Sequence, residues 1–111
     1  QYTEAFTHTQ LGIEKILWDK IVGIFSGKRA MVVRRTIDEN VRSKDRPPAT
    51  TSELIKWDHF LGAINNSEFS DLEDFNRKRN MIIHGHGQWW YGKGYTEALR
   101  KGIRFLERNG S

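Results

Sequence analysis

The stretch Ser70-Asp71-Leu72-Glu73-Asp74-Phe75-Asn76-Arg77-Lys78-Arg79-Asn80-Met81-Ile82-Ile83-His84-Gly85 reads as one helix from end to end. Ser70, with Glu73 three positions on, has the form of a capping box, and the glycines at 85 and 87 suit a helix stop. At roughly 100° per residue, Leu72, Phe75, Ile82 and Ile83 fall within one sector about 100° wide, the width of a core-facing stripe. Arg79 falls in the middle of that sector. A guanidinium in such a place is costly unless something ionic or polar meets it. Asn76, Asn80 and His84 follow one another at i, i+4 and i+8 and make the neighbouring stripe. A permanent cation, an amide and a titratable imidazole are thus expected on adjoining positions near a helix end.

Outward from this helix, the same periodicity recurs in both directions. Phe6, Ile13, Ile16, Leu17, Ile24 and Phe25 recur at mostly helical spacing and predict a first helix over 3–26, with Gly27 as the break. A second helix over 28–44 is expected to bury Met31, Val32, the stem of Arg35, Ile37 and Val41. Pro47-Pro48 forbids its continuation, since proline lacks the amide donor and biases its predecessor away from helical angles. Thr51 or Ser52 is expected to cap a third helix carrying Leu54, Ile55, Trp57, Phe60, Leu61 and Ile64, ended by Asn65-Asn66. On the C-terminal side, Thr96 is expected to cap a last helix with Leu99, Ile103 and Leu106 inward and Gly110 as its stop. No period-two alternation, internal repeat or low-complexity tract interrupts the pattern. The expected fold is all-α: a compact bundle of four to five helices in a single domain, 1–111. Gln1 in place of an initiator Met suggests a piece excised from a longer chain.

Composition narrows the chemistry. The chain of 111 residues has no cysteine, which excludes disulfides, thiolate metal sites and a cysteine nucleophile. It also fits a reducing compartment, and a cytoplasmic location is the expectation. No apolar run approaches the roughly 18 residues that cross a bilayer, so no membrane partner is expected. Residues 27–46 hold seven cations and three carboxylates, so this stretch alone accounts for the formal net charge of +4. Such a run concentrates polyanions, nucleic acid among them, although a solvated helix face has the same composition. Lys28, Arg34, Arg35 and, beyond the central helix, Lys93 are the candidate contacts to a nucleic-acid backbone. Trp90 stands in the segment Trp89-Trp90-Tyr91-Gly92-Lys93-Gly94-Tyr95, where aromatics interleave with lysine and glycine. Such rings stack on unpaired bases, at ~1–3 kcal/mol per base, or else plug the end of a bundle.

The set Arg79, Asn80 and His84 suits phosphodiester cleavage in RNA. The substrate's 2′-hydroxyl is itself the nucleophile, so the protein supplies only proton transfer and charge neutralisation. A histidine titrating near neutrality can move that proton, and an arginine fork can meet the phosphorane oxygens. No step requires a metal or another cofactor.

Arg79-Asn80-Met81-Ile82-Ile83-His84, trailed by Gly85, resembles the R-x4–6-H motif of the HEPN superfamily, in the form with a polar residue after the arginine. The resemblance implies a compact helical domain and a metal-independent ribonuclease of toxin, phage-defence or RNA-processing type. It also implies Arg79, Asn80 and His84 as the active residues, and a homodimer in which two motifs face one cleft. RNA is then the substrate, and an antitoxin or companion domain a further partner. Arg77 is an alternative arginine, although its follower Lys78 fits the pattern less well.

Other readings of the same residues stay open. His84 is also well placed as a cation at a helix C-terminus, where it complements the macrodipole. His84 and His86 form a weak metal pair with no third ligand nearby in sequence. His8 and His59 read as surface or boundary residues. In place of an enzyme, the chain suits a non-catalytic dimerisation or nucleotide-sensing module, or a general nucleic-acid-binding bundle that treats DNA and RNA alike.

Overall fold

The computed structural model describes residues 2–24, 27–41, 50–83 and 93–110. It is all-α, with five helices and, among the described residues, no strand: α1 (Tyr2–Ile24), α2 (Lys28–Val41), α3 (Thr51–Phe60), α4 (Asn66–Ile83) and α5 (Lys93–Arg108). The expected four- to five-helix bundle is therefore the fold. The helix starts differ from expectation at three places. Thr50, not Thr51 or Ser52, caps α3, accepting from the Glu53 amide at 3.2 Å and donating to Glu53 Oε1 at 3.0 Å. Thr51 is buried instead, and its hydroxyl takes the Gln10 amide of α1 at 2.6 Å and donates to Glu14. Asn65-Asn66 opens α4 rather than closing α3. The Glu68 amide donates to Asn65 Oδ1 at 2.8 Å and the Asn65 amide to Glu68 Oε1 at 3.0 Å, a reciprocal cap one turn ahead of the Ser70–Glu73 pair. At the other end, α5 begins at Lys93, three residues before Thr96.

α1 is the axis of the molecule and packs against each of the other four helices. Its inward residues Phe6, Ile13, Ile16, Leu17 and Ile21 are buried at helical spacing. They meet Leu54 and Ile55 of α3, Leu72 and Phe75 of α4, and Tyr95, Ala98 and Phe105 of α5 in one continuous core. Fully burying a side chain of this size contributes about 1.5–3 kcal/mol against leaving it exposed.

The tightest point lies where α1, α4 and α5 meet. Phe75 stacks on Phe6 with ring centroids 5.0 Å apart, and Gly102 of α5 passes directly against the ring. A Cβ on Gly102 would stand 2.5 Å from Phe75 Cδ1 and 3.0 Å from Thr9 Cγ2. The glycine lets the three backbones come this close.

Several residues expected inside are outside. Met31 and Val32 of α2 are 69% and 56% exposed. α2 lies against α1 through Val33, with Arg34 over the Trp18 ring, 4.8 Å from its centroid. That orientation turns Met31 and Val32 away from α1. The side chains of Ile37 and Val41, and Phe25 and Pro47-Pro48, lie outside the described residues. Phe60 ends α3 and is 79% exposed, touching Trp57 edge-on at 6.1 Å. Ile24, Ile83 and Ile103 are likewise exposed. On α5 the inward line is Tyr95, Ala98, Gly102 and Phe105, which places Ile103 on the far side.

One inward position is ionisable. Asp58 has no exposed surface, and neither carboxylate oxygen has a hydrogen-bond partner. Burial pushes its carboxyl up to about 8, with Lys20 of α1 pulling the other way. Because the folded value exceeds the unfolded one, folding takes up a proton and stability falls as pH rises between about 4 and 8. Asp58→Asn is expected to remove that slope, so urea-unfolding curves show its advantage over the parent widening across this range. A constant difference would rule the buried acid out. Gly102→Ala is expected to destabilise the fold by about 1–3 kcal/mol, despite alanine's better helix propensity. A Phe75→Leu background should shrink that penalty in the same measurement.

Candidate functional site

α4 presents two different faces because its apolar residues keep one side while its amides keep the next. Leu72 and Phe75 point into the core, Ile82 packs against it, and Arg79 is flanked by them. The Arg79 side chain is half-buried, with Nε shut off from solvent and unpartnered. Its Nη1 donates to Asn80 Oδ1 at 3.3 Å. Among the described residues no carboxylate pairs with it. The adjoining face lines a groove of about 790 Å3, within the roughly 300–1,000 Å3 usual for ligand sites. Phe69, Glu73, Asn76 and Asn80 form its α4 wall, and Lys101 reaches it from α5. Asn76 is only 8% exposed. His84 continues the Asn76–Asn80 spacing in sequence and lies outside the described residues.

The start of this wall is fixed by an aromatic stack. His59, at the end of α3, lies on the Phe69 ring with centroids 4.0 Å apart and an interplanar angle of 15°. Its Nε2 is 2.8 Å from Asn66 Oδ1. His59 is therefore a joint between α3 and α4 rather than an isolated surface residue.

Charge is organised around one acid. Asp74 receives Arg77 and Lys78 from its own helix, and Lys101 reaches it from α5 at 3.2 Å. Burial acts to raise the Asp74 carboxyl. The hydrogen bonds from Lys101 and Arg77 and the charge of Lys78 outweigh it and hold the group below the usual carboxylate range. Arg104 stands 4.0 Å from Asp71, so the contacts run antiparallel along the α4–α5 seam. Arg77, the alternative motif arginine, is thus engaged by a carboxylate where Arg79 is not.

The other candidates are distributed over the molecule. Lys28, Arg34 and Arg35 are exposed on α2. Arg34 sits at the level of Trp18, and α4 crosses α1 at Phe6. Those levels are twelve residues apart on α1, roughly 18 Å at 1.5 Å per residue. Because α5 runs alongside α1 in the same sense, through Thr9–Gly102 and Gly12–Leu106, α4 runs against it and carries Arg79 farther from the level of Arg34. Arg79 and Asn80 thus lie together, and the α2 cations form a separate patch. Lys93 is the first residue of α5, with its side chain outside the described residues, as are Trp90 and Trp89. Tyr95, read with the aromatic loop, is instead 4% exposed within the core and has no face free to stack on a base.

Two features escaped the sequence reading. Glu73 reads in sequence as a capping residue; with Glu68 in that role it stands mid-helix in the groove wall. Asp58 continues the inward series Thr51, Leu54 and Ile55, so helical spacing alone points it at α1. Among the described residues no group of three His, Asp or Glu is placed to hold a metal ion. Among them, too, no helix is long and apolar enough to cross a membrane.

Neither a protein-family model, nor a curated protein, nor a solved structure matches this chain.

Asp74→Asn is expected to destabilise the α4–α5 seam by about 1 kcal/mol at pH 7. A carboxyl held low in the folded state contributes stability above its unfolded value, near 4, and loses it as pH falls. Thermal melts of parent and variant should therefore converge below about pH 4. Equal separation at pH 3 and pH 7 would rule this role out.

Proposed function

We propose that this chain is a metal-independent endoribonuclease of HEPN type that cleaves RNA by attack of the 2′-hydroxyl. The observation that carries the reading is the state of Arg79: no carboxylate partner among the described residues, with its hydrogen bond going to Asn80 in the wall of an open groove. An unpaired guanidinium beside a groove matches a site that receives a phosphate. In this reading Arg79 stabilises the negative charge that gathers on the phosphorane oxygens. His84 transfers the proton as the 2′-oxygen bonds to phosphorus and the 5′-oxygen departs, and Asn80 positions Arg79 and the phosphate. The products carry a 2′,3′-cyclic phosphate and a 5′-hydroxyl.

Lys28, Arg34, Arg35, Lys93 and Trp90 are the proposed RNA contacts. With Arg34 and Phe75 at levels of α1 roughly 18 Å apart, only a strand of several nucleotides, or a second protomer, brings the α2 cations and the motif into use together. Ile83, 44% exposed at the end of α4, offers an apolar edge beside the motif for the second copy that the resemblance implies. An antitoxin or companion domain and a cytoplasmic setting belong to the same proposal. One observation favours a second reading, a non-catalytic dimerisation or nucleotide-sensing module: Arg79 Nε is shut off from solvent, as in an arginine held for packing.

The test is cleavage of single-stranded RNA in excess EDTA, with DNA of the same sequence as control. The parent protein should cut RNA alone. Arg79→Ala and His84→Ala should each lower the rate by roughly 10²–10⁴. Undiminished cutting by both variants, or no cutting by the parent, would overturn the assignment.

A further inference from the structure

We infer that the α4 groove is a guanine-binding site in which Glu73 and Asn76 take the Watson–Crick edge of the base. The inference rests on the ribonuclease reading only in naming RNA as one source of that base. It begins from two polar side chains that have no hydrogen-bond partner among the described residues. Asn76 is more than nine-tenths buried, lines the groove and, among the described residues, makes no side-chain hydrogen bond. Glu73, one turn earlier on the same wall, is half-buried, and among the described residues no group donates to its carboxylate. Its Oε1 is closed to solvent, and a small turn about the broad terminal torsion of a glutamate presents both oxygens together. Buried polar groups in folded proteins are ordinarily satisfied, and exceptions at a groove mark where something else supplies the partner.

The chemistry of the two groups selects the ligand. An ionised carboxylate only accepts, and two oxygens side by side suit two adjacent N–H donors. An amide next to it, at i+3 on the same helix face, adds a donor for one carbonyl oxygen. Guanine presents that sequence along one edge: a carbonyl O6, then N1–H, then the N2 amino group. Adenine and cytosine each place a bare ring nitrogen beside their amino group, and uracil has a single N–H between two carbonyls. Phe69, at the start of the same wall and held by His59 at 4.0 Å, is an aromatic side chain beside the base position. Lys101 from α5 and Arg77 from α4 also line the groove, both held at Asp74, and place positive charge at its edge for the attached phosphate.

The experiment measures calorimetric affinity of the intact chain for guanosine, inosine, adenosine, cytidine and uridine monophosphates. Five-nucleotide RNAs carrying one guanosine, or inosine in its place, are measured in parallel. Guanosine should bind at least about tenfold more tightly than the others, inosine included, since inosine lacks only the N2 donor. Preference among the mononucleotides assigns the site to free guanine nucleotide as well; preference confined to the oligomers assigns it to RNA. Either supports the inference, and absence of preference in both overturns it. Glu73→Gln, with folding checked by circular dichroism, should abolish the preference, and retention of it would overturn the assignment of Glu73. The inosine comparison needs no variant and stands if Glu73→Gln fails to fold. Guanine preference without RNA cleavage would defeat the nuclease reading alone; cleavage without guanine preference would defeat this inference alone.

Discussion

The contact between Phe6, Phe75 and the bare backbone of Gly102 fixes how α1, α4 and α5 lie on one another. Close packing leaves little room for adjustment at such a point, because neither stacked ring can move without displacing the other. From it follows the placing of the whole α4 surface. With Phe75 turned into the core, Arg79 four residues on must also turn inward, and Asn76 and Asn80 must stand at the edge. The ion pairs of Asp74 and Asp71 with α5 then hold α4 against rotation about its own axis. The candidate site is thus a by-product of helix packing: its polar groups lie where they do because the apolar ones next to them are fixed.

The same helix shows how burial and chemistry are traded. Asp74 is surrounded by three cations and is stabilised in its charged form, whereas among the described residues Arg79 and Glu73 have no partner of opposite charge. A pairing of Arg79 with Glu73 would have satisfied both, but they lie six positions apart, on different faces of the helix. Two unsatisfied groups on one helix cost stability, and that cost is accounted for if both serve a ligand.

Much of this was legible in the amino acids. The five amphipathic segments, the inward course of Leu72 and Phe75, and the neighbouring line of Asn76 and Asn80 all follow from helical spacing. What local rules could not settle was which of two equivalent signals applies. Asn65–Glu68 and Ser70–Glu73 are both capping boxes, and the first prevails as Phe69 gains the His59 ring and Asn66 its imidazole nitrogen, contacts made across the fold. On α2 the apolar residues occupy more than one side, and the Arg34–Trp18 contact, invisible in sequence, turns Met31 and Val32 outward. Tyr95 follows glycines and so reads as loop, yet α5 begins two residues earlier and carries it into the core. Asp58 lies on a readable inward register, but an aspartate without a partner is not what burial ordinarily tolerates.

α2 leans on α1, with Val33 turned inward, Met31 and Val32 facing away, and Gly27, at a φ of 60°, just ahead of its start. A helix laid on one side of the axis in this way is expected to peel away while the other four stay assembled. Its backbone amides would then exchange with deuterium through this partial opening, far faster than those of α1, whose release requires the entire bundle to come apart.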